Sequence, residues 1–313
     1  MGGRLLAIWR ALPVIVRAPI VAFAVLNVGS TLGVLPLLGN LKFLPAVPWA
    51  LPATLLLTWA FWRYAAGGGY PAATRAYRAT MARTTTLSAS VWRAVIPVIC
   101  AALVASYGLR LALPSIVVVP APRLPIDPGA YPVTTVIGLA LALAVSSGVV
   151  EEVAFRGYLQ KSLEDAYGIA AALVLTGVAF WYAHADKVTI SHLPFHLVVS
   201  VLLGAATYLT RSVLPAIAGH VLGDALLLPV YVFHQPAVAW SLLSARPVWE
   251  AHASESFAGR LDVVLAALRP DLLLAPASHP LAVTAWLAIA GLGLAALGLR
   301  RLARVAAVTG TRS

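Results

Sequence analysis

Charged residues are scarce in this chain. They make up 11% of its 313 residues, whereas about a quarter of the residues in a soluble globular protein are charged. Apolar residues make up 61% of the chain, and its mean hydropathy is +0.89. Because this leaves too little polar surface to cover a globule of this size, lipid must surround much of the chain. The composition excludes a soluble enzyme and predicts an integral, multi-pass membrane protein.

Cysteine and lysine are scarce too. Cys100 is the only cysteine and lies in an apolar run, which excludes disulfides and metal sites built from several cysteines. Lysine occurs only as Lys42, Lys161 and Lys187, a bias towards arginine that is typical of prokaryotes with GC-rich genomes. We therefore expect the protein in the cytoplasmic (inner) membrane of a prokaryote.

Eight apolar runs approach the length of about 20 residues that a transmembrane helix needs. They lie at roughly 14–38, 45–62, 91–113, 132–155, 168–185, 194–210, 213–233 and 281–299. The predicted fold is therefore all-α, a polytopic transmembrane helix bundle of about eight spans. Linkers at 63–90, rich in Arg, Gly and Thr, and at 114–131, rich in Pro, separate some of these runs.

The topology explains the net charge of +11. With a cytoplasmic N-terminus and eight spans, 15 of the 22 Lys and Arg residues fall on the cytoplasmic side and 7 outside. This bias is the positive-inside pattern of membrane proteins, so we expect both termini to be cytoplasmic. The charge gives no reason to expect nucleic acid as a partner, whereas membrane lipid is an expected one.

The chain divides into three regions. Residues 1–131 hold the first transmembrane helices and linkers, 132–233 hold four spans with unusual charges, and 234–313 hold the rest. That last region consists of an outer loop, the final span and a basic cytoplasmic tail. Apolar residues recur at helical spacing in the outer segment 234–280, which is therefore either an amphipathic surface helix or an ordered loop.

Three groups of titratable residues lie within the apolar runs of the middle region, where charge is costly and usually functional. Each group contains a pair at i and i+4, which places both members on one helix face. The pairs are Glu152 and Arg156, Phe180 and His184, and His220 and Asp224. Glu151 precedes the first pair and lies about 100° around the helix from Glu152. Glu152 can therefore neutralise Arg156, and Asp224 can orient the ring of His220.

Counting along the chain places four of these side chains at one depth. The polar residues 161–167 predict a hairpin turn near 167 and 168, with Glu151 about 16 residues before it and His184 about 16 after it. Equal separations from a turn place residues of antiparallel helices at one level. His220 lies about 12 Å past the next cytoplasmic turn, which matches the depth of Glu151. We expect Glu151, Glu152, His184 and His220 to converge in a cavity open to the cytoplasm.

Carboxylates and imidazoles that converge suit hydrolysis of a peptide bond. A carboxylate can take a proton from water as that water attacks an amide. The histidines, with Asp224, would hold the water, stabilise the oxyanion, or bind a divalent metal such as zinc through His184 and His220. The alternative is a polar network that only holds helices together. The zinc-protease sequence His-Glu-x-x-His is absent, and Ser147-Gly148 and Gly223-Asp224 match only fragments of other intramembrane protease motifs.

The remaining histidines have a simpler interpretation. We expect them to be ordinary residues at the membrane interface or in the outer loop. They are His192, His196, His234, His252 and His279. His196 fits this interpretation least well, because it faces into an apolar run.

In these motifs the chain resembles the CPBP family of intramembrane peptidases, which includes CAAX prenyl proteases and bacteriocin-processing enzymes. The resemblance covers about residues 132–233 and implies a catalytic core of four helices. It rests on three motifs in the order of the family: Glu151-Glu152-x-x-x-Arg156, Phe180-x-x-x-His184 and His220-x-x-x-Asp224.

The resemblance also implies roles for the first two motifs. Glu151 is similar to the glutamate that activates water, and Glu152 to the neighbour that shapes the site. Arg156 is similar to the arginine that pairs with an acid. His184 is similar to the histidine that holds the water or a metal.

The third motif, His220 with Asp224, is similar to the one that polarises the scissile carbonyl. Asparagine is common at its last position in prenyl peptidases, and the acid here favours a metal or another cation. The implied function is an intramembrane endopeptidase that cleaves a membrane-associated peptide or protein near the cytoplasmic face. Two alternatives remain. One is a non-enzymatic scaffold or bacteriocin-immunity-like protein, and the other is transport, which would need a polar path past His184 to the outer face.

Overall fold

The structure is a computed structural model, and it describes residues 7, 9–112, 131–184, 192–233 and 280–309. Across these residues the regular secondary structure is helical, which confirms the predicted all-α fold. A π-helical segment, Val153–Leu159, joins the fifth helix directly to the sixth. The helices are α1 (Val14–Phe43), α2 (Ala50–Ala65), α3 (Arg75–Ala82), α4 (Ala89–Ala112), α5 (Val133–Glu152), α6 (Gln160–Tyr182), α7 (Leu193–Thr210), α8 (Leu214–Phe233) and α9 (Pro280–Val308).

Five helical stretches in the described ranges are long and apolar enough to cross a membrane. They comprise α1, most of α4, α7, most of α9, and the continuous stretch Val133–Tyr182. The other two predicted spans correspond to α2, which has 16 residues, and to α8, whose shorter apolar part is Leu214–Leu226. The count of eight spans therefore stays a prediction. The predicted segments 114–131 and 234–280 lie outside the described residues except at their last positions.

The chain reverses direction within α6. Gly168 interrupts this helix with φ +80° and ψ 168°, a conformation that glycine adopts far more readily than other residues. Beyond this point the chain runs back along itself, so that the rings of Phe155 and Phe180 are 5.3 Å apart. The hairpin turn predicted near residues 167 and 168 is confirmed.

The stretch 63–90, expected to be a linker, contains α3 and is fixed to the rest of the fold. Arg83 forms a largely buried ion pair with Glu164 on the hairpin. The backbone carbonyl of Arg83 accepts a hydrogen bond of 3.0 Å from the backbone N–H of Val213. The Ser212 hydroxyl donates to the carbonyl of Thr85 over 2.6 Å. These contacts join the stretch after α3 to the hairpin tip and to the turn between α7 and α8.

Small residues allow α4 and α9 to pack closely, although they are far apart in sequence. A Cβ added at Gly108 would lie 2.9 Å from the Cα of Ala288, and one added at Gly291 would lie 2.7 Å from the Cα of Ala105. Close backbone approach at small residues is a common way for membrane helices to associate. The pair holds the last described helix against the first half of the chain.

The same kind of contact places α8 beside α5. A Cβ added at Gly148 would lie 3.0 Å from the backbone nitrogen of Val221. The neighbouring residue Val150 faces the other way, into an apolar cluster with Phe61 of α2. Because α8 approaches this closely one residue after His220, that histidine comes alongside the end of α5, where the two glutamates lie.

Candidate active site

Glu152 and Arg156 form the buried base of the candidate site. Both side chains are 0% exposed, and Nη1 of Arg156 donates a hydrogen bond of 2.9 Å to Oε1 of Glu152, which confirms the predicted pairing. The guanidinium also lies over the ring of Phe180, 4.6 Å from its centre. Removing one member of such a pair leaves an uncompensated buried charge, so each residue depends on the other.

Arg156 lies in the π-helical segment Val153–Leu159, which begins immediately after Glu152. All seven residues of the segment are buried. Its Gly157 faces α3 so closely that an added Cβ would lie 3.0 Å from the carbonyl oxygen of Met81. Short π turns within α-helices are rare and occur frequently at functional sites. The local change in helical geometry thus coincides with the residues of the first motif.

His220 lies beside both glutamates of the first motif, Glu151 and Glu152. Its Nδ1 is 2.6 Å from Oε1 of Glu152, and because an ionised carboxylate can only accept, Nδ1 carries the proton and donates. Its Nε2 therefore faces the other way, 4.0 Å from Oε2 of Glu151 and 3.6 Å from Oδ2 of Asp224. Asp224 is held in turn by the hydroxyl of Ser147, which donates to Oδ2 over 2.8 Å. Glu152 thus orients the ring of His220 towards Glu151.

His184 approaches Glu151 from the opposite helix. Its Nδ1 lies 2.8 Å from the carbonyl oxygen of Phe180 and donates to it, since a carbonyl has no proton to give. In its neutral form the ring then presents an unprotonated Nε2, which is 3.8 Å from Oε2 of Glu151. The rings of His184 and Phe180 are in contact, with their centres 5.0 Å apart. Phe180 therefore fixes both the position and the tautomer of this histidine.

Glu151 Oε2 is the oxygen on which the site converges. It is buried and has no hydrogen-bond partner among the described side chains and backbone, although the side chain as a whole is 16% exposed. Its distances to the two Nε2 atoms, 3.8 Å to His184 and 4.0 Å to His220, are too long for hydrogen bonds. They are short enough for one water to bridge. The geometry therefore provides a position for a water beside a carboxylate oxygen.

The six residues singled out in the sequence lie in one connected cluster. Three helices and the π segment supply them: α5, the end of α6 and its following turn, and α8. They are Glu151, Glu152, Arg156, His184, His220 and Asp224. Their proximity agrees with the expected convergence, whereas their catalytic roles remain predictions.

Residues 130–226 match a family model described as Type II CAAX prenyl endopeptidase Rce1-like. This segment belongs to the CAAX protease (CPBP) family. The Rce1-like segment begins just before α5 and ends within α8, so it contains all six residues of the cluster. The description names an endopeptidase, so the match assigns this segment to a family of proteases, which hydrolyse peptide bonds. Searches among curated proteins and among solved structures found no match.

Two histidines of the Rce1-like segment that were expected at the membrane interface are buried between helices. His192 is 8% exposed and His196 is 6% exposed. The ring of His196 is 5.1 Å from that of His184 and 5.7 Å from that of Phe180. Its Nδ1 is 2.8 Å from the carbonyl oxygen of His192. His196 therefore packs against His184, and its position in an apolar run was the one signal for this contact.

A helix outside the Rce1-like segment also reaches the cluster. The hydroxyl of Tyr107 on α4 donates to the carbonyl of Gly223 over 3.4 Å. Arg110, one turn further along, lies 5.5 Å from the centre of the Phe195 ring. Sequence patterns within α5–α8 gave no indication of these contacts, because they depend on how α4 packs.

The proposed zinc ligands do not form a ready zinc site. Among the described residues, no group of three or more His, Cys, Asp or Glu side chains has the arrangement needed to hold a metal. Glu151 Oε2, the donor next to both His184 and His220, is 3.8 and 4.0 Å from their Nε2 atoms. Neighbouring donors at about 2.0–2.1 Å from a tetrahedral zinc are only about 3.3 Å apart.

Proposed function

We propose that this protein is an intramembrane endopeptidase that cleaves a membrane-associated peptide or protein near the cytoplasmic face, using water activated by Glu151. The observation that carries the proposal is the unpartnered, buried Oε2 of Glu151, which faces Nε2 of both His184 and His220. The lysine-poor composition supports a prokaryotic inner membrane as its location. Membrane lipid and the substrate are its proposed partners.

In the first step, a water lies between Glu151 and His184. Oε2 of Glu151 accepts one proton of this water as its oxygen attacks the carbonyl carbon of the scissile bond. Nε2 of His184 accepts a hydrogen bond from the other water hydrogen, which fixes the direction of attack. The result is a tetrahedral intermediate with a negatively charged oxygen and a proton on Glu151.

In the second step, the intermediate collapses. His220 in its protonated form, between Glu152 and Asp224, donates from Nε2 to the negatively charged oxygen and stabilises it. Glu151 then passes its proton to the leaving amine as the C–N bond breaks, which regenerates the carboxylate. Glu152 and Arg156 touch no reacting atom and act as positioning residues, since Glu152 holds Nδ1 of His220.

The proposal is tested with the full chain, purified and reconstituted in liposomes, on a fluorogenic membrane peptide. Glu151→Gln keeps the shape of the side chain but removes the base, so turnover should fall by about 10²–10⁴-fold. Glu164→Gln removes a carboxylate outside the site, where it pairs with Arg83, and should retain turnover per folded molecule. Full turnover by Glu151→Gln would contradict the proposal. A cellular phenotype that survives loss of Glu151, His184 and His220 would favour the scaffold function.

The same assay identifies the class of substrate. Peptides of one sequence, with and without a prenyl group on a cysteine near the C-terminus, differ only in the lipid that the family description names. Cleavage of both at equal rates would assign the protein a wider range of membrane peptides. Cleavage of the prenylated peptide alone would assign it the narrower activity.

Proton or cation movement is a second candidate, because the imidazoles continue beyond the cluster. The ring centres of His184 and His196 are 5.1 Å apart, and those of His196 and His192 are 6.4 Å apart. This row leads from Glu151 to the beginning of α7. Proteoliposomes loaded with a pH-sensitive dye test the idea. A proton flux that His196→Phe abolishes would support transport, and the absence of any flux would leave proteolysis alone.

A further inference from the structure

A cleft of about 570 Å³ lies between α1, α3 and the first half of α6. None of the six clustered residues lines it, so it is distinct from the candidate active site. Val14 and Val21 of α1 and Met81 of α3 give it an apolar wall. Arg17 and Asp165 give it a charged one. A ligand that fits this cleft must itself be amphiphilic.

The cleft lies where an apolar helix meets polar chain. Arg17 is in the first turn of α1, a helix long and apolar enough to span a membrane. Asp165 faces it from the polar tip of the hairpin, three residues before the interruption at Gly168. Trp9 and Tyr77 also line the cleft, and Trp and Tyr are enriched at the level of lipid headgroups. Phospholipid headgroups are therefore the abundant amphiphiles at this level.

The charges of Arg17 and Asp165 determine which headgroup fits the cleft. No ion pair among the described side chains includes Arg17, and a guanidinium binds phosphate through two parallel hydrogen bonds. Asp165 pairs with Lys161 but keeps further acceptor positions, since a carboxylate can accept about four hydrogen bonds. A matching ligand carries a phosphate and, beyond it, an ammonium or hydroxyl donor.

We propose that this cleft binds a phospholipid whose headgroup has a hydrogen-bond donor beyond the phosphate, as phosphatidylethanolamine and phosphatidylglycerol do. The phosphate lies on Arg17 and the donor on Asp165, and an acyl chain runs along Val14 and Val21. Phosphatidylcholine has the phosphate but no donor, so it binds more weakly. This inference does not depend on the proposed proteolysis.

A lipid in this cleft would also stabilise the fold next to the active site. Met81 and Val21, which line the cleft, belong to the same apolar contact network as Val153 of the π segment. The carbonyl of Met81 is the group closest to the open side of Gly157. A ligand that binds the folded state alone raises its stability, so we expect bound lipid to raise the unfolding temperature.

The test titrates the purified full chain in detergent with phosphatidylethanolamine that carries a fluorescent acyl chain. Arg17→Gln should weaken binding about tenfold, the effect expected for loss of a hydrogen bond to a charged group. Arg17→Lys keeps the charge but loses the two parallel hydrogen bonds. Its affinity for the lipid should lie between those of the wild type and of Arg17→Gln. Arg10→Gln is the matched control, because it removes the same charge from the chain before α1, at a residue that does not line the cleft.

The competitors separate the possible ligands. Unlabelled phosphatidylethanolamine and phosphatidylglycerol should displace the probe better than phosphatidylcholine, and Asp165→Ala, which removes the acceptor oxygens, should abolish that preference. Equal competition by all three lipids, or unchanged binding by Arg17→Gln, would overturn the proposal. Glycerophosphoethanolamine that competes as strongly as the intact lipid would assign the cleft to soluble phosphodiesters instead. Glu151→Gln should bind lipid as the wild type does, which separates this result from any result on proteolysis.

Discussion

The Rce1-like segment and the α4–α9 pair bury different kinds of side chain. In the Rce1-like segment, the fully buried ion pair of Glu152 and Arg156 lies at the centre of the helices. The α4–α9 contact is made by small residues instead, with Gly291 against Ala105. A buried charge pair adds little net stability over apolar packing. The charge pair is therefore better explained by its hold on the ring of His220 than by stability, whereas the small-residue contact serves close helix packing.

The largest expected effect comes from disrupting the buried ion pair of Glu152 and Arg156. Arg156→Gln leaves Glu152 buried without its partner, which should cost about 3–5 kcal/mol of stability and abolish turnover. Thermal unfolding in detergent and the peptide assay measure the two effects. Arg156→Lys restores the charge and should recover part of the stability. An Arg156→Gln protein as stable as the wild type would show that the pair is not the constraint that we infer.

The next largest effect is expected at the small-residue contact between α4 and α9. Gly291→Leu forces a side chain into the backbone of α4 and should cost about 1–3 kcal/mol. Gly293→Leu is the matched control, because no atom lies within 4 Å of a Cβ added there. Turnover per folded molecule should stay within a few-fold of the wild type in both variants. If Gly291→Leu unfolds at the temperature of the wild type but loses turnover, the α4–α9 contact serves catalysis rather than stability.

A smaller effect is expected at His196. His196→Ala removes the ring that packs on His184, so kcat should fall about tenfold, or about 1.4 kcal/mol, while KM changes little. His196→Phe restores a ring of similar shape and should recover most of kcat. Steady-state kinetics of both variants make the measurement. If Phe fails to rescue an alanine variant that folds normally, packing is not the function of His196.

The smallest expected effect is that of metal removal. Because the described residues form no three-ligand site, treatment with 1,10-phenanthroline followed by dialysis should leave turnover unchanged. Loss of turnover that added zinc restores would reverse this expectation. It would assign His184 and His220 as ligands, with an additional donor from substrate or from water.

The sequence predicted the parts of the fold that depend on local pattern. Apolar runs gave the helices, and the polar stretch before Gly168 gave the hairpin turn. Equal counts from that turn placed Glu151 level with His184, and the two side chains are 3.8 Å apart. This worked because helical rise is constant, so distance along two antiparallel helices follows from counting residues.

Features that depend on packing were not predicted. His196 was expected to be interfacial, and its burial depends on how α7 lies against α6. The approach of Tyr107 to Gly223 joins helices more than a hundred residues apart. Arg83 was expected to be part of an Arg-rich linker, whereas in the structure it pairs with Glu164. None of these contacts has a periodic signal, since each joins elements that are distant in the chain.

The π segment Val153–Leu159 sets the phase of every residue that follows it. A turn with i→i+5 hydrogen bonds holds one residue more than an α-helical turn. Deleting a single residue there would return the segment to ordinary α-helix and rotate all later side chains of the hairpin by about 100°. Phe180 and His184 would then face away from Glu151. A deletion between Gly157 and Leu159 would thus separate the three motifs in space without altering the sequence of any of them.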